Sequence, residues 1–277
     1  MDHPLLRTQP LSAYERGTAL LEAVLLLSTG GVILLWLTGN PPLYTDDAPV
    51  LSIFTALSLL LLTGVRLARK FLFAWPPALS LALIGLVLGG NLSSALMLTT
   101  VPPELMRSFP DIVMTSVFTS VGLILFGLYE LLIVLRETPR SAFIVDDILL
   151  HLALIPGELS LLGHLLQNPT YLSIGSDPRV GISLLEMAFM AVYALTAVLS
   201  NSRLFLWRFL GAGSVQRLIF AGLFANQFIA PVIVGYAFTD TVPNRGPGLE
   251  FFVMLAGAVS TLSFLLIQAY QHSRRHE

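Results

Sequence analysis

Eight stretches of this chain are each long and apolar enough to fill the hydrocarbon of a bilayer: residues 18–38, 49–68, 77–98, 112–135, 145–166, 180–200, 215–238 and 249–270. A membrane helix needs about 20 mostly apolar residues, and in lipid its backbone N–H and C=O groups must pair internally. The stretches are separated by segments that break helices or favour turns: Gly39-Asn40-Pro41-Pro42, Trp75-Pro76-Pro77, Val101-Pro102-Pro103, Thr138-Pro139-Arg140, Asn168-Pro169 and Asn244-Arg245-Gly246-Pro247. Such backbone belongs outside the hydrocarbon. The expected fold is all-α, a polytopic membrane helical bundle of about eight transmembrane helices. Composition agrees. Only 12% of residues are charged, against roughly 25% in soluble domains, so most of the surface must face something other than water.

Orientation follows from the basic residues, which concentrate on the cytoplasmic side of membrane proteins. With the N-terminus inside, cytoplasmic segments hold Arg7, Arg16, Arg66, Arg69, Lys70, Arg136, Arg140, Arg203, Arg208, Arg217, Arg274 and Arg275, and the far side holds Arg107, Arg179 and Arg245. An even number of spans produces this split with no helix reversed. Both ends are therefore expected in the cytoplasm, with residues 1–17 as a polar N-terminal segment, 18–270 as the transmembrane domain and 271–277 as a C-terminal extension. The first apolar run is too long for a cleavable signal peptide and lacks a small-residue cleavage site. Arginines and aromatics between residues 201 and 214 predict an interfacial segment on the cytoplasmic face. A net charge of −2 offers nothing to a nucleic acid, and the absence of cysteine excludes disulfides, thiolate metal sites and cysteine nucleophiles.

Ionisable groups within a span are costly in lipid and mark function. Counting 1.5 Å per residue from each span's end sorts them into two layers. The inner layer holds Glu22, Glu130 and His151, with Asp146 and Asp147 just below, and is expected to act in signalling or as a proton relay. Asp147 and His151 are four apart and share a helix face, where the carboxylate would fix the histidine's tautomer or raise its pKa. The outer layer holds Asn91, Glu158, Glu186, Asn226 and Gln227, the candidate ligand-binding set, with His164 closer to the surface. The fifth span breaks at Ile155-Pro156-Gly157-Glu158, and polar residues at broken helices commonly line ligand or ion sites. Interhelical hydrogen bonding is the alternative role for both layers.

Metal or haem chemistry has some material here. His151 with Glu130 and Glu22, or His164 with Glu158 and Glu186, offers ligands for a divalent metal. His151 and His164 are thirteen apart, as haem-ligating histidines can be, with Met97 and Met114 as conceivable axial partners. No second span supplies a histidine and no Glu-x-x-His or HExxH spacing occurs. A retinal lysine, a Gly-x-Ser-x-Gly nucleophile and a Gly-rich phosphate loop are absent too.

The last span runs from Phe264 to Tyr270 and on through His272, Arg274, Arg275 and His276 with no Gly or Pro, so its helix can continue into the cytoplasm where a signalling linker would begin. This even-span module, with both ends inside and almost no loop mass, resembles the N-terminal multi-pass sensor modules of bacterial histidine kinases and diguanylate cyclases. The stretches Asp111 to Ser116, Tyr129-Glu130-Leu131 and Asp146-Asp147 through His151 share that look. The resemblance implies a sensory module of the inner membrane. It would bind a small ligand, ion or cofactor and signal through its last helix to a cytoplasmic kinase or cyclase domain, conceivably as a homodimer. A small transporter or channel using the carboxylates, and a membrane-embedded Glu/His metal or haem protein, are the alternatives.

Overall fold

The computed structural model describes residues 13–40, 51–72, 75–100, 115–136, 144–168, 171, 181–238 and 248–274. Met114, Asp111, Arg107, Arg140, Arg179 and Arg245, which entered the expectations above, lie outside them. The helices are α1 (Ala13–Leu37), α2 (Ile53–Phe71), α3 (Pro77–Thr100), α4 (Val117–Leu135), α5 (Ile144–Leu165), α6 (Leu184–Ser200), α7 (Phe205–Gly211), α8 (Ser214–Phe224), α9 (Ala230–Phe238) and α10 (Leu249–Arg274). A π-helical turn, Ala225–Ile229, joins α8 to α9 in one long rod.

Each of the eight apolar stretches corresponds to one of these rods, but not all are long and apolar enough to cross alone. Six are: α1, α3, α4, α5, the α8–α9 rod and α10. A seventh appears if α6 and α7, bent by 68°, count as one span. The shortfall from eight has two physical causes. Helix α2 carries Arg66, Arg69 and Lys70 in its final turns, and α6 has only 17 residues.

Three helices start the same way. Ser52 caps α2, Ser116 caps α4 and Ser183 caps α6, each hydroxyl accepting the N–H three residues on, from Thr55, Thr119 and Glu186. The sequences Ser52-Ile-Phe-Thr55 and Ser116-Val-Phe-Thr119 are near copies, and Ser183-Leu-Leu-Glu186 completes a reciprocal capping box. At its far end α1 closes on Gly39 (φ 74°), with Asn40 N–H donating to Leu35 O and Gly39 N–H to Trp36 O. This is a Schellman turn, which requires the left-handed conformation. Helix α5 closes likewise, but with Gln167 (φ 52°) in the left-handed position.

Cross-helix hydrogen bonds show which helix ends lie together. At one end Trp36 donates to Leu51 O, Ser94 to Thr115 O, and Ser160 to Ile182 O. At the other, Lys70 reaches Glu15 O, Arg66 reaches Glu130 and Thr196, and Ser200 reaches Glu22. Helices α1 to α6 therefore alternate in direction. Helix α2 is central, packed against α1, α3, α4 and α6. Its Leu59 and Leu62 join Ile84, Leu123, Phe126 and Tyr193 in a core with essentially no exposure. The outward faces carry Leu20, Leu27, Leu86 and Leu218, all more than 60% exposed. Where lipid is as apolar as leucine, close packing and polar contacts hold the helices together rather than exclusion of water.

Candidate functional site

Among the described residues, three groups of buried polar side chains link helices around an acidic residue. The first surrounds Arg66, counted from sequence only as one more cytoplasmic-side charge. Its guanidinium is nearly buried between Glu130 and Glu22, donating through Nε and Nη2 to Glu130 Oε1 and lying 3.7 Å from Glu22 Oε1. Nη1 donates to Thr196 at 3.0 Å, and the cation sits 4.3 Å from the Tyr193 ring centre. Tyr193 also donates its hydroxyl to Glu130 at 2.8 Å. Lys70 stands 3.8 Å from Glu22 Oε2 and bonds Thr18. Two carboxylates, from α1 and α4, thus face two cations from α2, with Thr196 and Tyr193 of α6 bonded to the same groups. A compensated network of this kind can sit inside a bundle where an isolated charge could not.

The second group lies at the opposite end, around Glu186. Thr55 donates to Glu186 Oε1, the Ser183 N–H reaches Oε2 at 3.3 Å, and Ser52 bridges Thr55 and Thr115 at 2.9 Å each. Glu186 belongs to a cap cluster where α2, α4 and α6 all present N-terminal, positively polarised ends.

The third group joins α5, the π turn and α10. Gln227 Nε2 donates to Glu158 Oε2 at 2.9 Å, and Thr261 donates to Gln227 Oε1 at 2.9 Å. Glu158 is 4% exposed, and its Oε1 has no hydrogen-bond partner. The π turn makes this possible. One extra residue in the turn rotates Gln227 inward, leaving it 1% exposed while its neighbour Asn226 faces outward. Such π-bulges occur frequently at functional sites. Gly257 lets α10 come close enough: a Cβ there would meet Gln227 Cα at 2.6 Å and Asn226 O at 3.0 Å. Pro156 lies inside α5 two residues before Glu158.

Of the expected outer set, the structure brings together Glu158 and Gln227. Asn91 pairs instead with Ser58 and the Val87 carbonyl on α2 and α3, Glu186 joins the cap cluster, and the Asn226 side chain is exposed. In the inner set, Glu22 and Glu130 share Arg66, while Asp146 pairs with Arg136. Asp147 does not serve His151. Both its oxygens accept backbone N–H groups at the start of α7, from Phe205 at 2.9 Å and Leu206 at 3.1 Å. His151 lies in hydrogen-bonding reach of the Ala258 backbone on α10, and its Nε2 has no partner.

Neither metal set converges. Among the described residues no three His, Asp or Glu side chains come together as ligands. His164 Nε2 lies 3.1 Å from the Ile182 carbonyl, and Met97 is 44% exposed on α3.

Sequence reasoning missed Tyr171. Its hydroxyl donates to Glu250 Oε1 at 2.6 Å and accepts from the Gly248 N–H at 2.8 Å, while its ring stacks on Phe251. Burial, then the adjoining Glu250, raises this phenol above its usual range. The start of α10 is therefore clamped, and no local motif announces it. The opposite half of α10 meets α7 through Phe264, edge-on to Phe209 with ring centres 5.1 Å apart. Comparison with known protein families, curated proteins and solved structures returned no match to this chain.

Proposed function

We propose that the chain is a sensory module of a cell membrane, crossing eight times with both ends in the cytoplasm, and that α10 carries its signal to a cytoplasmic effector. The observation that carries the reading is the chain of hydrogen bonds from Thr261 on α10 through Gln227 to the buried carboxylate of Glu158. A ligand that changes what Glu158 needs from its neighbours changes what Thr261 can bond. Signalling requires such differential interaction with two arrangements of the output element. Helix α10 suits the role: it is 26 residues long, clamped at Tyr171, and runs on to Arg274. Eight crossings are supported by the central position of α2, which shares its depth with four neighbours, and by the pairing of Arg66 and Lys70, which offsets the charge that burdens that helix. The twelve-to-three bias of basic residues supports a cytoplasmic position for the Arg66 end.

Because the chain has no cysteine, single-cysteine labels need no background removed. Thr38→Cys and Lys70→Cys flank α2 and should react with impermeant reagents from opposite sides; reaction from one side only rejects the eighth crossing. For the output, spin labels at Leu135→Cys and Ile267→Cys report the distance between α4 and α10 by pulsed electron resonance in nanodiscs. Glu158→Gln and Thr261→Val should shift that distance distribution, and Ser80→Ala should not. Identical distributions in all four proteins would remove α10 as the output.

A second reading is favoured by α5 itself, which carries Asp147, His151, Glu158 and His164 from one end to the other. Such a ladder suits proton transport. Proton flux in proteoliposomes that is abolished by Glu158→Gln would favour it over sensing.

A further inference from the structure

We infer that Glu158 is a proton-binding site whose occupancy reverses the hydrogen-bond direction through Gln227 to α10. The inference rests on the sensory reading only in naming α10 as the responder; the site itself stands on the geometry of four residues. The Gln227 amide donates through Nε2 to Glu158 Oε2 and accepts at Oε1 from the Thr261 hydroxyl. This is the arrangement of an ionised Glu158, which can only accept. It leaves Oε1, an atom bearing half a negative charge, with no donor in a site 4% exposed. An uncompensated buried charge is costly, and a neutral acid removes that cost.

The amide can exchange its oxygen and nitrogen by a half-turn that moves no other heavy atom. On acidification one proton passes from hydronium to Glu158 Oε2, releasing water, and the carboxylate becomes a carboxylic acid. Its O–H then donates to the amide oxygen of Gln227, whose N–H donates to Thr261 Oγ1. The Thr261 hydroxyl proton, displaced from that bond, needs an acceptor, and one is already in place: the Gly257 carbonyl at 3.1 Å. Each polar side-chain atom of Gln227 and Thr261 thus keeps at least one hydrogen-bond partner in both states. The charge on Oε1 is gone, because in the acid it is a plain carbonyl oxygen. On α10 the change is physical. The Thr261 hydroxyl, shared before between Gln227 Oε1 and the Gly257 carbonyl, is then committed to that carbonyl four residues back alone, a bond that bends helices, at the point where Gly257 holds α10 against the π turn.

A single proton suits this site better than a metal ion, because among the described residues no three His, Asp or Glu side chains converge as ligands. No other carboxylate, imidazole or cation among the described residues is bonded to Glu158. On α5, Asp146 and Asp147 are held by Arg136 and by the start of α7, His151 faces the Ala258 backbone, and His164 faces Ile182 O. From α4, Glu130 is held by Arg66, and Tyr129 by Asn201 and the Ala197 carbonyl. From α6, Glu186 is held by Thr55, and Tyr193 donates to Glu130. On α7, Arg208 is exposed at the cytoplasmic-side face. On α9, Tyr236 bonds Leu165 O. On α10, Glu250 is taken by Tyr171, and Tyr270, His272 and Arg274 lie in the last two turns, more than two turns beyond Thr261.

The test is infrared difference spectroscopy of the full chain in nanodiscs, titrated with acid across the neutral range. Acidification should bring up a carbonyl stretch of a protonated carboxylic acid that shifts in heavy water and is missing in Glu158→Gln. In Gln227→Ala the same band should move to higher frequency, because the acid has lost its acceptor; this second variant keeps the carboxyl and serves if Glu158→Gln does not fold. The inference falls if no such band titrates, if it persists in Glu158→Gln, or if it stays unmoved in Gln227→Ala. It also falls if replacing sodium and potassium by choline at fixed pH changes the site while acid does not. A titrating Glu158 with an unmoved α10 distance would refute the output role and leave the proton site standing; a moving α10 with no titrating band would do the reverse.

Discussion

Replacing Arg66 by methionine removes the cation that α1, α4 and α6 share. Arg66 makes two charge-assisted bonds to Glu130 and one to Thr196, and lies 3.7 Å from Glu22. At an effective dielectric near 20, a unit pair at that separation attracts with about 4 kcal/mol before desolvation. In Arg66→Met, Glu130 keeps only the Tyr193 hydroxyl, and Glu22 keeps Ser200 and the 3.8 Å approach of Lys70. Breaking a buried pair by removing one partner costs about 3–5 kcal/mol, chiefly from the charge left behind. Neutralising that charge should therefore rescue: Glu130→Gln in the Arg66→Met background should recover roughly 2 kcal/mol, a coupling within the range for contacting residues. Glu130→Gln alone should cost less than Arg66→Met, since Arg66 retains Glu22, Thr196 and the Tyr193 ring. Reversible unfolding in bicelles measures all four corners of the cycle. A cost below about 1 kcal/mol for Arg66→Met, or strict additivity in the double variant, would refute the view that this network holds the bundle's charges in balance.

Asp147→Asn should loosen α7 by about 1–2 kcal/mol, the usual worth of a helix cap, seen as faster amide exchange at Phe205 and Leu206. Gly257→Ala drives a methyl into the Gln227 backbone and should destabilise by about 1–3 kcal/mol, with a longer distance between labels on α10 and the π turn. Gln167→Gly relieves a left-handed non-glycine residue and should stabilise by roughly 1 kcal/mol in the same unfolding assay. The raised phenol of Tyr171 gives a pH signature. Below the unfolded tyrosine pKa of about 10 both states hold the proton and nothing changes. Above it the unfolded chain loses the proton first, so stability falls as pH rises towards the folded value. Tyr171→Phe should flatten that alkaline slope, and an unchanged slope would exclude Tyr171 as its source.

The helical rods were legible because lipid-length apolar runs and their Pro/Gly breaks are local properties; every rod falls within a few residues of the stretch that announced it. What the sequence concealed is which end of a rod a polar residue serves. Glu186 looked mid-membrane because its span was counted from residue 180, yet Ser183 starts the helix and makes Glu186 a cap residue. Arg66 looked like a loop charge because it stands five residues from the end of α2, and only the pairing with Glu22 and Glu130 draws it inside. Asn226 and Gln227 looked equivalent. Their different fates depend on a π turn that no composition rule marks, and that turn decides which of the two reaches Glu158.

These differences separate two kinds of intramembrane polarity. The Arg66 network ties together α1, α2, α4 and α6, and the serine-cap cluster ties together α2, α4 and α6, each through several hydrogen bonds to carboxylate oxygens or hydroxyls. Groups so bonded resist change, since any new state must break several charge-assisted bonds at once. Among the described residues, buried atoms without a hydrogen-bond partner occur on both sides of the bundle, at Glu22 Oε2, Thr63 Oγ1, Asn91 Oδ1 and Ser120 Oγ as well as on α5, where Glu158 Oε1 and His151 Nε2 lie two turns apart on the face that meets α10 and the π turn. Elements that move must come from the weakly held part of a structure. Three of the salt bridges join α1, α2 and α4. On the proposed sensory reading the responding half is α5, the α8–α9 rod and α10, where a glycine, a proline and a π turn stand at the contact.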